Sequence, residues 1–296
     1  MQKTSLIVGL MFSLVLAGVV HAQRGGGFTR EQIATALPVE GAPLAVAGPY
    51  KVESGPAFNS PGHVVYRPAD LAAFPRKDTL PLIVWGNGGC AINSTRYAGF
   101  LTTIASHGFV VMATAAQPGV ERATADHLRA AIAWAETESK RADSPLNGKI
   151  ALDRIAVMGQ SCGGFMALEL GADPRVDTIG VFNSGAQGDV AGTVAKLRGP
   201  VLLINGHERD FAMAWSDATF DAIKNVPAFS GARRNAGHTA TVDHPGGGEW
   251  ANVASSWARW QFKSDKQAGR MFTGKDCSLC TDANWVTKSK GLDQVK

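Results

Sequence analysis

A stretch of six residues near the middle of the chain constrains its fold more than any other feature. Arg154, Ile155, Ala156, Val157 and Met158 form a short, largely apolar run. Gly159, Gln160, Ser161, Cys162, Gly163 and Gly164 follow at once, and residues 165–170 then carry apolar groups at helical spacing. A serine with glycines two positions to either side, set between a strand and a helix, predicts a sharp turn. Side chains at 159 or 163 would collide with the strand or the helix, so the turn needs glycine there. Such a turn lifts the Ser161 side chain above the sheet and places its backbone near a helix N-terminus, which favours negative charge.

Apolar runs recur at residues 63–66, 82–85, 109–112, 155–158, 178–182, 201–204 and 226–229. Most have no polar interruption, as strands buried on both faces require. Between them, residues 125–140 place Leu128, Ile132 and Ala135 on one helical face, and 165–170, 217–223 and 250–262 read as further helices. Alternating strands and helices predict an α/β architecture with a mainly parallel central sheet and helices on both faces. No repeat or linker divides the core, so residues 50–265 are expected to form one domain. With 45% hydrophobic and 18% charged residues, the chain lies outside the disordered class.

The two ends differ from this middle. Lys3, an apolar stretch from Leu6 to Val20 and the small-residue pattern ending at Ala22 predict a secretory signal over residues 1–22, cleaved before Gln23. The product is then expected outside the cytoplasm, secreted or periplasmic, with no remaining membrane span. Loss of Lys3 takes the formal charge from +4 to +3. That excess is unclustered and gives no footing for nucleic-acid binding. Residues 23–49 are broken by Gly and Pro and predict an irregular segment, and 266–296 predict a polar tail.

The strand, the Gly159–Gly163 turn and the following helix resemble the nucleophile elbow of the α/β-hydrolase superfamily, a likeness that extends from about Tyr50 to Phe262. The resemblance implies a catalytic Ser161, followed in the chain by an acid and then a histidine. After the run 201–204, the loop carrying His207, Glu208, Arg209 and Asp210 looks like the family's acid-bearing loop, with Asp210 the choice and Glu208 its rival. His238, after Asn235, Ala236 and Gly237, looks like the histidine, with His244 the alternative; His63, His107 and His127 precede the serine, and His207 sits in the acid loop. Serine is a weak nucleophile at neutral pH. It needs the imidazole as base, and the imidazole needs a carboxylate to fix its tautomer.

The loop after residues 82–85, with Asn87, Gly88, Gly89 and Cys90, resembles the family's oxyanion-hole loop. The Cys162 amide and one of Gly88, Gly89 or Cys90 would be the donors. Trp85, Asn87, Phe211 and Trp215 are expected to contact substrate. Four cysteines in an exported chain favour disulfides: a local Cys277–Cys280 staple, since a zinc site would lack two ligands, and a Cys90–Cys162 bond joining the two oxyanion segments. The alternative for the latter pair is two small buried thiols. The resemblance implies hydrolysis of a small or polymeric carboxylic ester through an acyl-enzyme, without metal or organic cofactor. A peptidase or amidase, an acyltransferase, and a non-catalytic binding protein on the same fold stand as alternatives.

Overall fold

The apolar runs become strands of one nine-stranded sheet in a computed structural model that describes residues 39–295. In chain order they are β1 (Val52–Ala57), β2 (Ser60–Pro68), β3 (Leu80–Gly86), β4 (Val110–Thr114), β5 (Ile150–Gln160), β6 (Thr178–Phe182), β7 (Val201–Gly206), β8 (Ala228–Arg233) and β9 (Trp285–Lys290). In space the order is β1-β2-β4-β3-β5-β6-β7-β8-β9. The strands from β4 to β8 run parallel to their neighbours, while β1, β2 and β9 pair antiparallel at the two edges. The expected signal over 1–22 lies outside the described residues, and the described part of the segment before β1 contains no helix or strand.

The helices are α1 (Ala98–Ser106), α2 (Ala125–Glu138), α3 (Cys162–Leu170), α4 (Val190–Val194), α5 (Met213–Ala222), α6 (Gly248–Lys263), α7 (Lys266–Gly269) and α8 (Ser278–Thr281). Side chains alternate between the faces of a strand, and this divides the core in two. Ile83, Trp85, Val111 and Met158 pack with Phe100 and Ile104 of α1 and with Trp250 and Trp257 of α6. Leu82, Val84, Met112 and Val157 pack on the other face with Leu128 and Ile132 of α2 and Met166 and Leu170 of α3. Every residue of β3 is buried, which is why its sequence has no polar alternation.

Several elements depart from expectation. The edge strand β1, the helix α1 and the strand β9 were not anticipated, and β9 moves the domain boundary. Residues 285–290 pair with β8, so the chain beyond 265 belongs to the sheet instead of trailing as a tail. Trp285 packs on Trp250 with ring centroids 5.5 Å apart and donates from Nε1 to Glu249 Oε1 at 2.9 Å. The other Glu249 oxygen pairs with buried Arg233 at 2.9 Å. Cys277 and Cys280 are bonded in the turn that leads to β9. Among the described residues no helix is long and apolar enough to cross a membrane.

Candidate active site

The turn between β5 and α3 is fixed by contact distances. A methyl group added at Gly163 would stand 1.9 Å from the Gly86 carbonyl oxygen of β3, and one at Gly159 would stand 2.3 Å from the Gly163 backbone. Both values lie far inside van der Waals contact, so β5, β3 and α3 meet this closely only through glycine. Ser161 takes the conformation this imposes, with φ +53° and ψ −117°, a sparsely populated region for a residue with a side chain. Its amide donates to Phe182 O at 2.8 Å, and its own carbonyl accepts from Ser184 Oγ at 2.8 Å. The strained residue is therefore held from both sides, with its side chain partly exposed at the head of α3.

The other two members reach it from loops at the carboxyl ends of β7 and β8. His238 Nε2 lies 2.8 Å from Ser161 Oγ, and its Nδ1 lies 2.9 Å from Asp210 Oδ1. The Asp210 carboxylate is buried and surrounded by donors: Oδ1 also accepts from the Ala212 amide at 3.0 Å, and Oδ2 accepts from Asn183 Nδ2 at 2.7 Å and the Gly206 amide at 3.1 Å. Buried polar oxygens need such partners in place of water. With Asp210 accepting at Nδ1, the imidazole presents an unprotonated Nε2 to the serine hydroxyl, the arrangement in which it can take the hydroxyl proton.

The rival residues are placed elsewhere. Glu208 is exposed and bonds His207 Nδ1 at 2.8 Å and the Asn235 amide at 3.1 Å; its own backbone amide, with these donors, holds its carboxyl below the usual range. His244 accepts from the Val39 amide through Nε2 at 3.3 Å.

Cys90 and Cys162 are bonded, with Cα atoms 5.2 Å apart, so the loop after β3 is covalently tied to the residue following Ser161. Of the candidate donors in that loop, Gly88 is set aside, because its amide donates to Tyr97 Oη at 2.9 Å. The Cys162 amide heads α3, and Gly89 and Cys90 supply the remaining amides of the loop. The Tyr97 hydroxyl donates onward to Gln160 Oε1 at 2.9 Å, and Gln160 Nε2 donates to His238 O at 2.8 Å. One buried chain thus joins the loop after β3, the turn at Ser161 and the histidine loop. Burial pushes the Tyr97 phenol above its ordinary pKa, which keeps it a donor.

Two of the four expected substrate contacts are corrected. Trp85 is completely buried and packs on Tyr97, Phe100 and Phe182. Asn87 is equally buried and uses Nδ2 to hold Ala91 O at 2.8 Å and Thr114 Oγ1 at 2.9 Å, so it shapes the loop from beneath. Both are fully buried, which periodicity at the end of a strand covered on both faces does not reveal. Phe211 and Trp215 remain partly exposed. Phe211 lies against the His238 ring with centroids 3.9 Å apart, Trp215 meets Phe211 edge-on at 5.7 Å, and Phe165 of α3 lies 6.1 Å beyond Trp215.

Asn183, Trp250, Tyr97 and Gln160 were not singled out in the sequence. For Asn183 a signal existed: it is the first polar residue at the carboxyl end of the parallel strand β6, the edge along which α/β sheets build their sites.

No protein of curated function matches the chain. The sequence profile of the PET hydrolase-like family matches residues 36–263, a span that holds Ser161, Asp210, His238 and both halves of the Cys90–Cys162 bond. Coverage on that scale, over a mostly parallel sheet with the strand order given above, settles the family: this chain belongs to the PET hydrolase-like ester hydrolases of the α/β-hydrolase fold.

Proposed function

We propose that the chain is an exported serine esterase that hydrolyses carboxylic esters, polyesters among them, through an acyl-enzyme on Ser161. The observation that carries this reading is His238 standing between Ser161 Oγ at 2.8 Å and Asp210 Oδ1 at 2.9 Å. In the acylation step Ser161 Oγ attacks the ester carbonyl carbon while His238 Nε2 takes its proton. The oxyanion is met by the Cys162 amide and an amide of Gly89 or Cys90. His238 then returns the proton to the leaving alcohol as the ester C–O bond breaks. Water, deprotonated by the same nitrogen, releases the acid and restores the serine. Asp210 holds the imidazole in the required tautomer and stabilises its charged form.

Family membership and the surface around the triad support polyesters as substrates. Phe211, Trp215 and Phe165 form an aromatic path away from His238, and Phe165 also walls a cleft of about 470 Å³ whose lining mixes Leu168 and Ala186 with Arg129, Glu169 and Lys196. A cleft of that size has room for a segment of an extended ester. Export rests on the sequence of residues 1–22.

The test is mass spectrometry of the purified protein after a fluorophosphonate probe, beside Ser161→Ala, with turnover of a short-chain aryl ester and release of soluble products from a polyester film followed in parallel. The expected result is a single adduct on Ser161, loss of both activities in the variant, and a mature N-terminus at Gln23. Absence of adduct and turnover would overturn the enzymatic reading. Turnover of the aryl ester alone would restrict the substrates to small esters.

A further inference from the structure

Asn183 has no part in the chemistry proposed above, yet it is fully buried beside two members of the triad. Its Nδ2 donates to Asp210 Oδ2 at 2.7 Å and approaches Gly237 O, the carbonyl preceding His238, at 3.3 Å. Both hydrogens of one side-chain amide therefore reach the two loops that carry the acid and the base. Its Oδ1 accepts from Trp250 Nε1 at 3.0 Å, and Trp250 is itself fully buried in α6.

The direction of these bonds is fixed by chemistry. An indole N–H only donates, so the Asn183 atom facing Trp250 is the carbonyl oxygen, and the amino group must face Asp210. A flipped amide would set N–H against N–H at Trp250 and an oxygen against a carboxylate at Asp210, and each mismatch is costly where water is excluded. Asn183 is also one of few residues other than glycine in the left-handed region, with φ +47°. Asparagine tolerates that region better than other side chains. It can therefore turn the chain at the end of β6 and aim an amide back under the site.

We infer that Asn183 is a positioning residue of the triad, setting the rotamer of Asp210 and the height of the histidine loop through one amide, and that Trp250 is the lock that orients it. Asn183 acts on Ser161 only through Asp210 and His238. The kinetic consequences rest on the esterase reading. The geometric consequence, a strong and directed His238–Asp210 hydrogen bond, does not.

The experiment compares the full chain with Asn183→Leu, Asn183→Asp and Trp250→Phe, with Ser161→Ala as the blank, on a short-chain aryl ester well below each variant's unfolding temperature. Alongside, the far-downfield proton resonance of the His238 Nδ1–H is recorded for each variant. Asn183→Leu keeps the size of the side chain and removes the donor. Its kcat is expected to fall about tenfold to a hundredfold, the scale of one hydrogen bond to a charged group, with KM within about twofold of wild type.

Asn183→Asp places a second carboxyl against Asp210. The pair must share a proton, which returns an O–H donor at the same place, so this variant is expected to exceed Asn183→Leu in kcat. Trp250→Phe leaves Asn183 and Asp210 in place and frees the amide to flip, giving a loss between wild type and Asn183→Leu. The resonance is expected to move or broaden in Asn183→Leu and Trp250→Phe.

The inference is overturned by a folded Asn183→Leu with kcat within about twofold of wild type and an unmoved resonance, by a loss carried in KM alone, or by Asn183→Asp performing no better than Asn183→Leu. Should Asn183→Leu fail to fold, Trp250→Phe, which keeps Asn183, decides it against wild type: a kcat within about twofold and an unmoved resonance overturn the inference, and a loss in kcat with a moved or broadened resonance supports it. If the wild type turns over no ester, the esterase reading fails and the resonance alone decides the role of Asn183.

Discussion

The two halves of the candidate site are built by different physics. The nucleophile half is local: Gly159, Ser161 and Gly163 fall within one five-residue stretch, and its geometry follows from atoms that would overlap if a methyl were added at either glycine. The acid–base half is assembled from distant segments, with Asn183, Gly206, Asp210, Gly237 and Trp250 brought together by hydrogen bonds that no spacing in the chain encodes. The first should tolerate no added atoms, and the second no lost donors or acceptors. The largest effect tests whether the halves nevertheless act as one unit. Ser161→Ala and Asp210→Asn are each expected to lower kcat by on the order of 10⁴ or more, about 5 kcal/mol of transition-state stabilisation, with the fold retained. Glu208→Gln, in the same loop but exposed, should stay within about twofold. Steady-state kinetics on an aryl ester measures all three, and an Asp210→Asn enzyme as active as Glu208→Gln would remove Asp210 from the unit.

The disulfides sharpen the contrast between near and far. Cys90 and Cys162 are separated by 72 residues, Cys277 and Cys280 by 3. If restriction of the unfolded chain dominates, removing the first should cost about 4 kcal/mol and removing the second under about 2 kcal/mol. Only the first joins the loop after β3 to the residue following Ser161, so Cys90→Ala with Cys162→Ala should also lower kcat on the aryl ester. Cys277→Ala with Cys280→Ala should leave it unchanged. Thermal unfolding of both double variants, with kinetics below the transition, reads the two effects separately. A smaller cost, about 3 kcal/mol, is expected for Gly163→Ala, near the upper end of what overpacking usually does, because the Gly86 carbonyl it meets is backbone in the middle of the sheet. Denaturant unfolding that placed Gly163→Ala within about 0.5 kcal/mol of wild type would mean that the elbow is less tightly made than its distances require.

What the sequence made legible follows the same division. The central strands could be read because burial on both faces removes polar alternation, and the turn at Ser161 because its glycines are adjacent in sequence. Residues at the edges were harder. β1 reads VESGPA with only Ala57 buried, and β9 reads WVTKSK with only Trp285 buried, so neither carries an apolar run. In α1, a glycine and three β-branched residues weaken the helical signal of AGFLTTIAS. Trp85 ends the run 82–85 and Asn87 opens the loop after it, so both look like lining, but the strand is buried on both faces and both side chains are fully covered. Chain order narrowed the acid to Asp210 or Glu208 and the histidine to His238 or His244, whereas the choice within each pair and the network behind it required the fold.

Tyr97 offers the finest test of how the halves are joined, since it holds Gln160, the side chain that spans them. It accepts from Gly88 N at 2.9 Å and donates to Gln160 Oε1 at 2.9 Å, and Gln160 holds His238 O. Tyr97→Phe removes the hydroxyl and little else, leaving one donor and one acceptor without their partner. The expected loss is about 1 to 2 kcal/mol in stability, with a few-fold decrease in kcat as the three segments loosen. The pH dependence carries a sign that separates this from simple loss of packing. Burial raises the folded-state pKa of Tyr97 above the ordinary phenol value near 10, so the fold favours the protonated form. The stability it contributes is complete below about pH 10 and is lost as pH rises from there through the folded value. Tyr50, raised to about 12 by burial and by Asp78, adds the same trend to wild type and variant alike and cancels in the difference. The gap in unfolding temperature between wild type and Tyr97→Phe should therefore be constant from neutral pH to about 9 and narrow above about 10. A gap that stayed open at alkaline pH would assign Tyr97 a packing role, and the joining of the halves would then be carried by the Gln160–His238 hydrogen bond and the Ser161–His238 contact without help from the tyrosine hydroxyl.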